Sequence, residues 1–109
     1  MILTGKAKED FENYVLNENL RHDSEVLISV YNQETLFIDY KDVKKTLLNA
    51  LIIEWFDSVG IYITFDYLDL NKCFYSEILN ENFEIIKPTR QEALAEAIKK
   101  ANEIYNNKN

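Results

Sequence analysis

The sequence predicts an α+β fold: an N-terminal helix, then an α-β-β-β-α unit whose antiparallel three-stranded sheet packs on two helices. Three observations predict it. Apolar residues recur at helical spacing in three separate stretches. Between the second and third stretch lie three short runs rich in β-branched and aromatic residues, close enough in sequence to pair as a meander. The 109 residues are 47% hydrophobic with only 2 Gly and 1 Pro, which supplies one core and leaves little room for a second domain or long irregular loops. The chain therefore reads as one α+β domain over 1–109, with a helix and a variable segment in 1–39 and the α-β-β-β-α unit in 40–109.

Thr4 is placed to cap the first helix. Ala7, Phe11, Tyr14 and Val15 follow at i, i+4, i+7 and i+8, one apolar stripe, and the pattern weakens at Asn17-Glu18-Asn19. Arg21-His22-Asp23-Ser24 reads as a loop and Val26–Tyr31 as a strand. Asn32-Gln33-Glu34 can turn the chain before Leu36-Phe37-Ile38, a second short strand or the entry to the next helix.

The second helix is expected from about Tyr40 to Asp57, with Asp39 as N-cap and Asp42 supporting the first turn. Val43, Leu47, Ala50 and Leu51 form one stripe, and Leu48, Ile52, Trp55 and Phe56 widen it. A face this broad predicts burial on more than one side. Gly60 sits where a C′ glycine would stop the helix.

Ile61–Tyr67 alternates, with Ile61, Ile63, Phe65 and Tyr67 on one face. Leu68-Asp69-Leu70-Asn71 turns the chain into a second strand, Cys73–Leu79. Asn80-Glu81-Asn82 is a turn of hairpin length. Phe83–Lys87 is the third strand, closed by Pro88. Thr89-Arg90-Gln91-Glu92 is a capping box, after which Leu94, Ala97, Ile98, Ala101 and Tyr105 line one face of the last helix. Asn106, Asn107 and Asn109 are expected to fray its end.

Net charge is −7, with 11 acidic and 6 basic residues in 1–58 against 8 and 6 in 59–109. Such a field repels nucleic acid and anionic membrane. Cys73 is the single cysteine, so neither an intramolecular disulfide nor a cysteine-based zinc site can be completed, and a reduced, cytoplasmic setting is the simplest reading. The start becomes polar after Met1-Ile2-Leu3, without the apolar stretch of a signal peptide. Ala50-Leu51-Ile52-Ile53, the longest apolar run, is far too short to span a bilayer.

Helix, three antiparallel strands, helix over residues 40–106 resembles the double-stranded-RNA-binding domain in the order of its elements. The binding chemistry of that family does not carry over. Its basic cluster at the start of the last helix is replaced by Thr89–Glu96, with one base and two acids, and its Gly-Pro-x-His loop by Leu68–Asn71. Glu54–Ile63, Thr89–Ala93 running into Ala97–Asn106, and Thr4–Phe11 are similar to small uncharacterised proteins of phages and prophages of gut bacteria. That resemblance implies a phage accessory protein acting in the host cytoplasm, and it transfers no site residue.

The polar candidates each have a plain structural reading. His22 lies beside Asp23 in a polar loop with no nucleophile motif. Cys73 has only Lys72 nearby to lower its pKa. Asp66, Asp69 and Asn71 resemble a fragment of an oxygen-rich metal loop but lack its glycine and distal glutamate. Glu54 and Asp57 share a helix face at i, i+3. Tyr62, Tyr67 and Tyr75 could stack bases or provide contact area for a protein. No catalytic residue, cofactor or metal is therefore expected. The function expected is a non-catalytic protein-interaction domain that modulates a host protein and possesses, in its acidity, the charge sign of a nucleic-acid mimic. Its surface is expected at Tyr62, Asp66, Tyr75, Glu77 and Glu84, and its partner is a host or phage protein rather than nucleic acid or membrane. The alternative, a nucleic-acid-binding domain of dsRNA-binding-like shape, predicts a basic patch of Lys87, Arg90, Lys99 and Lys100.

Overall fold

The computed structural model describes residues 3–17 and 38–109. The elements are α1 (Gly5–Asn17), α2 (Ile38–Ser58), β1 (Ile63–Leu68), β2 (Cys73–Ile78), β3 (Phe83–Lys87) and α3 (Arg90–Lys108). The α+β class and the order α-α-β-β-β-α are those the sequence predicts. The expected strand Val26–Tyr31, the turn after it, Leu36-Phe37 and His22 lie outside the described residues.

The sheet has the order β1-β2-β3 and is antiparallel throughout. Cross-strand partners share a face, so the register sorts every strand side chain. One face carries the rows Ile63–Ile78–Phe83, Phe65–Ser76–Ile85 and Tyr67–Phe74–Lys87. The first two rows meet the helices: Ile63 and Ile78 are buried and Phe65 and Phe83 pack against the core. Ser76 is fully buried there, and its hydroxyl is satisfied by donating to the Thr64 carbonyl at 2.9 Å. α3 runs over all three strands, α2 lies by β1, and α1 packs on α2 and α3 rather than on the sheet.

Within α2 the buried stripe is Leu48, Ile52, Trp55 and Phe56, at i, i+4, i+7 and i+8. Leu51 and Ile53 flank it half-buried, whereas Ala50 is exposed. The residues expected to widen the stripe are thus its centre, and the helix keeps a solvent side at Ala50, Glu54 and Asp57. Asp39 is not the N-cap, because helical backbone already begins at Ile38. The other end is as expected. Gly60 takes φ +86° at C′, its N–H donates to the Asp57 carbonyl at 3.2 Å, and the Ile61 N–H donates to Phe56 at 2.9 Å. These are the two bonds of a Schellman motif, and buried Ile61 and Phe56 are its apolar pair.

The strands shift slightly from expectation. β1 starts at Ile63 rather than Ile61, though Tyr62 still accepts from the Leu79 N–H at 2.9 Å. The first turn moves to residues 69–72, with Leu68 in the strand and Lys72 at φ +50°. In the second turn Asn80 takes φ +66°, a conformation asparagine tolerates. Thr89 caps α3, accepting from the Glu92 N–H at 3.2 Å.

The end of α3 does not fray at Asn106; it holds the start of α1. Asn102 and Asn106 stand one turn apart on the same side of α3. Asn102 accepts from the Thr4 N–H at 2.9 Å and donates to the Thr4 hydroxyl at 3.0 Å. Asn106 accepts from the Ala7 N–H at 2.8 Å and donates to the Thr4 carbonyl at 2.9 Å. The capping oxygen for α1 therefore comes from α3, and the Thr4 hydroxyl expected to provide it is engaged by Asn102. Gly5, at φ +61°, makes the approach possible, since a Cβ there would lie 3.2 Å from the Asn106 amide. Tyr105 closes the same seam by donating its hydroxyl to Asp10, which also pairs with Lys6 at 3.2 Å. Asn109 caps α3 in turn through the Tyr105 carbonyl. Asn106→Ala removes an N-cap acceptor and is expected to lower stability by about 1–2 kcal/mol. Urea denaturation measures this, and an unchanged midpoint would show that the cap contributes nothing.

Candidate interaction surface

The opposite face of the sheet carries Thr64–Glu77–Glu84, Asp66–Tyr75–Ile86 and Leu68–Cys73 as its rows. Tyr62 and Leu79 extend it by parity at one end. All five residues singled out from the sequence, Tyr62, Asp66, Tyr75, Glu77 and Glu84, fall on this one face. Tyr67, grouped with them as a stacking candidate, lies on the other face.

Three properties define the surface. It is uncovered among the described residues: Tyr62, Asp66, Leu79, Glu84 and Ile86 are exposed, Ile86 to 56%. It is acidic, since Asp66, Glu77 and Glu84 stand on it and no lysine or arginine occupies any of its strand positions. Finally, Glu77 and Glu84 are direct cross-strand partners, an arrangement in which like charges destabilise a sheet.

Tyr75 sits among these carboxylates. Its hydroxyl donates to Glu77 Oε2 at 3.1 Å. Its pKa is pushed up to about 12, first by desolvation against its neighbours and then by the hydrogen bonds and negative charge of Glu77 and Glu84. The phenol thus stays a neutral donor throughout the physiological range. Leu79 and Ile86 were not singled out from the sequence. Their signal was the strand period: Ile86 follows the core-facing Ile85 and must point the other way.

The remaining candidates are dispersed. Cys73 is a free thiol, almost wholly buried at the Leu68 end of this face. Asp66 is in β1 and Asp69 and Asn71 are in the turn beyond it; among the described residues no three His, Cys, Asp or Glu side chains are placed to hold a metal ion. Glu54 and Asp57 are exposed on α2, where Glu54 accepts from the Tyr14 hydroxyl at 3.4 Å. The four cations of the alternative reading do not converge. Arg90 and Lys99 are nine residues apart, which at about 100° per residue puts them on opposite sides of α3, and Lys100 is paired with Glu103 at 3.6 Å.

No helix among the described residues is long and apolar enough to cross a membrane. No protein-family model, curated protein or solved structure matches the chain.

Proposed function

We propose that this chain is a non-catalytic protein-interaction domain that docks a partner on the open face of its sheet. The observation that carries the reading is the composition of that face. Tyr62, Leu79 and Ile86 offer apolar area, Tyr75 adds an amphipathic ring, and Asp66, Glu77 and Glu84 offer negative charge that no basic residue of the same face neutralises. An exposed patch mixing aromatic and aliphatic area with one sign of charge suits a partner of opposite sign. A lysine or arginine from the partner set between Glu77 and Glu84 would relieve their repulsion, so binding gains energy that the free sheet lacks.

We infer further, from the resemblance to small phage and prophage proteins read in the sequence, that the partner is a host protein met in the cytoplasm. Imitation of a nucleic acid by the whole surface has less support. Exposed carboxylates stand on all three helices and on β1 and β3, among them Glu9, Glu54, Asp57 and Glu103, rather than in one stripe.

The test is affinity capture from host lysate with wild type, Glu84→Lys and a control, Glu103→Lys, on the far side of the molecule. A protein retained by wild type and the control but lost with Glu84→Lys is the expected result. Equal loss with both variants, or with neither, would overturn the assignment to this face.

A further inference from the structure

We propose a second interaction surface at the end of the sheet beside the start of α3, and that its occupant is an acidic, partly apolar segment of another protein. This goes beyond the docking reading above, since it uses the other face of the sheet and the opposite charge.

The surface arises from a mismatch of lengths. The first two rows of the helix-side face lie under the helices, but α3 begins only at Arg90, so the third row, Tyr67–Phe74–Lys87, ends at its first turn. Tyr67 is consequently 50% exposed although its parity is that of the core, and Leu70, at the tip of the adjoining turn, is fully exposed. Tyr67 and Phe74 form a tilted pair with ring centroids 5.1 Å apart. The Arg90 guanidinium lies over the Phe74 ring at 5.6 Å.

Positive charge gathers here, three cations beside the two carboxylates Asp69 and Glu92. Lys72 precedes β2, Lys87 ends β3 and Arg90 opens α3, so the three gather at one end. None of them forms an ion pair with a described carboxylate, not even with Asp69 or Glu92, their neighbours in sequence. Lys6, Lys100 and Lys108, elsewhere on the surface, do, whereas Lys99 stands singly on the far side of α3. Among the described residues, three grouped cations that form no ion pair stand out in a chain of net charge −7. Stacking on Phe74 also limits the freedom of the Arg90 fork, so less entropy is lost when it takes a carboxylate through two parallel hydrogen bonds.

The occupant follows from the same balance. Carboxylates fit Lys72, Lys87 and Arg90, and an apolar side chain fits the exposed faces of Tyr67, Phe74 and Leu70. A nucleic acid matches less well. Duplex DNA brings one charge per ~1.7 Å, which three cations do not neutralise, and the excess meets the repulsion of the whole acidic domain. A segment with only a few carboxylates meets less of that repulsion.

The experiment is an amide-resolved NMR titration of the intact chain with three probes: the hexapeptide Glu-Glu-Leu-Phe-Glu-Glu, its counterpart Lys-Lys-Leu-Phe-Lys-Lys, and decathymidylate. The acidic peptide is expected to shift Tyr67, Phe74, Lys87 and Arg90 saturably. Arg90→Glu is expected to weaken it about tenfold, the equivalent of ~1.4 kcal/mol, with Arg90→Gln, a milder change, giving a smaller loss and Glu84→Lys none. Absence of saturable shifts at this end, insensitivity to both Arg90 variants, or tighter binding of decathymidylate here would overturn the proposal. The basic peptide reports on the open sheet face and is sensitive to Glu84→Lys alone, so the two readings stand or fall separately.

Discussion

Trp55→Ala is expected to remove about 3–5 kcal/mol of stability, the usual range for truncating a large buried aromatic. Domains of this size are stable by only ~5–15 kcal/mol, so the variant should lose most of its resistance to urea. Trp55 is 2% exposed and stands where the three helices meet. Its ring contacts Phe11 of α1 edge-on at 5.9 Å, Phe56 at 4.8 Å and Tyr105 of α3 edge-on at 4.9 Å. Truncation therefore opens a cavity between α1, α2 and α3 at once, and relaxation of one helix cannot fill it. Trp55→Phe retains an aromatic ring in the site and should lose markedly less. Equilibrium urea denaturation followed by far-ultraviolet circular dichroism measures both. A loss below about 1 kcal/mol for Trp55→Ala would mean that the three-helix junction does not hold the domain together; that would be the size of a surface change rather than a core truncation.

Local signals made most of this fold legible. Gly60 announced a helix stop because few other residues accept positive φ there, and Thr89 with Glu92 announced a start. Alternation in Ile61–Tyr67 and Phe83–Lys87 gave the parity of the sheet, and parity alone sufficed to put Tyr62, Asp66, Tyr75, Glu77 and Glu84 on one face. What escaped was non-local. Asn102 and Asn106 read as weak helix formers near a chain end, because nothing in their neighbourhood reveals a helix terminus 98 and 99 residues away that needs their amides. Ser76 reads as a polar strand residue, and only its place in the register next to Phe65 explains its burial. In α2, apolar residues on nearly every side blur the period, so Ala50 could not be told from Leu48. The end of the sheet escaped for a different reason. Tyr67 has core parity, and its exposure depends on where α3 begins, a relation between two elements rather than a property of either.

This contrast also separates the two proposed surfaces by what they require of the chain. The open face is a consequence of period two in three strands, so a single substitution changes its chemistry and leaves the fold alone. The sheet end depends on the offset between the third row and Arg90, and on Pro88 and Thr89 keeping the connection short. Insertions there should disturb the aromatic–cation row and leave the open face untouched.

The seam between α1 and α3 gives the domain a defined response to pH. Asp10 has its pKa lowered, chiefly by the hydrogen bond from Tyr105; burial opposes this as the next largest effect, and Lys6 adds a further lowering. A carboxylate with a depressed folded pKa contributes stability that is present above its unfolded value of 3.8 and is lost as pH falls through the folded value. Tyr105 has its pKa raised to about 12, by desolvation first and by Asp10 second. A phenol raised in the folded state contributes stability that is complete below its unfolded value of 10.0 and is lost as pH climbs toward about 12. One hydrogen bond thus weakens at both extremes: at low pH Asp10 ceases to be the charged acceptor, and at high pH Tyr105 ceases to be the donor. Tyr105→Phe is expected to flatten the acid limb, because it removes the chief cause of the Asp10 shift. It should flatten the alkaline limb only in part, because Tyr75 on the open face is also raised to about 12 and titrates in the same window. Asp10→Ala leaves the Tyr105 hydroxyl without its acceptor and should lower stability near neutral pH by about 1–3 kcal/mol. Urea midpoints recorded from pH 3 to pH 11 for wild type, Tyr105→Phe and Asp10→Ala test the assignment. An acid limb as steep in Tyr105→Phe as in wild type would show that this bond does not couple α1 to α3.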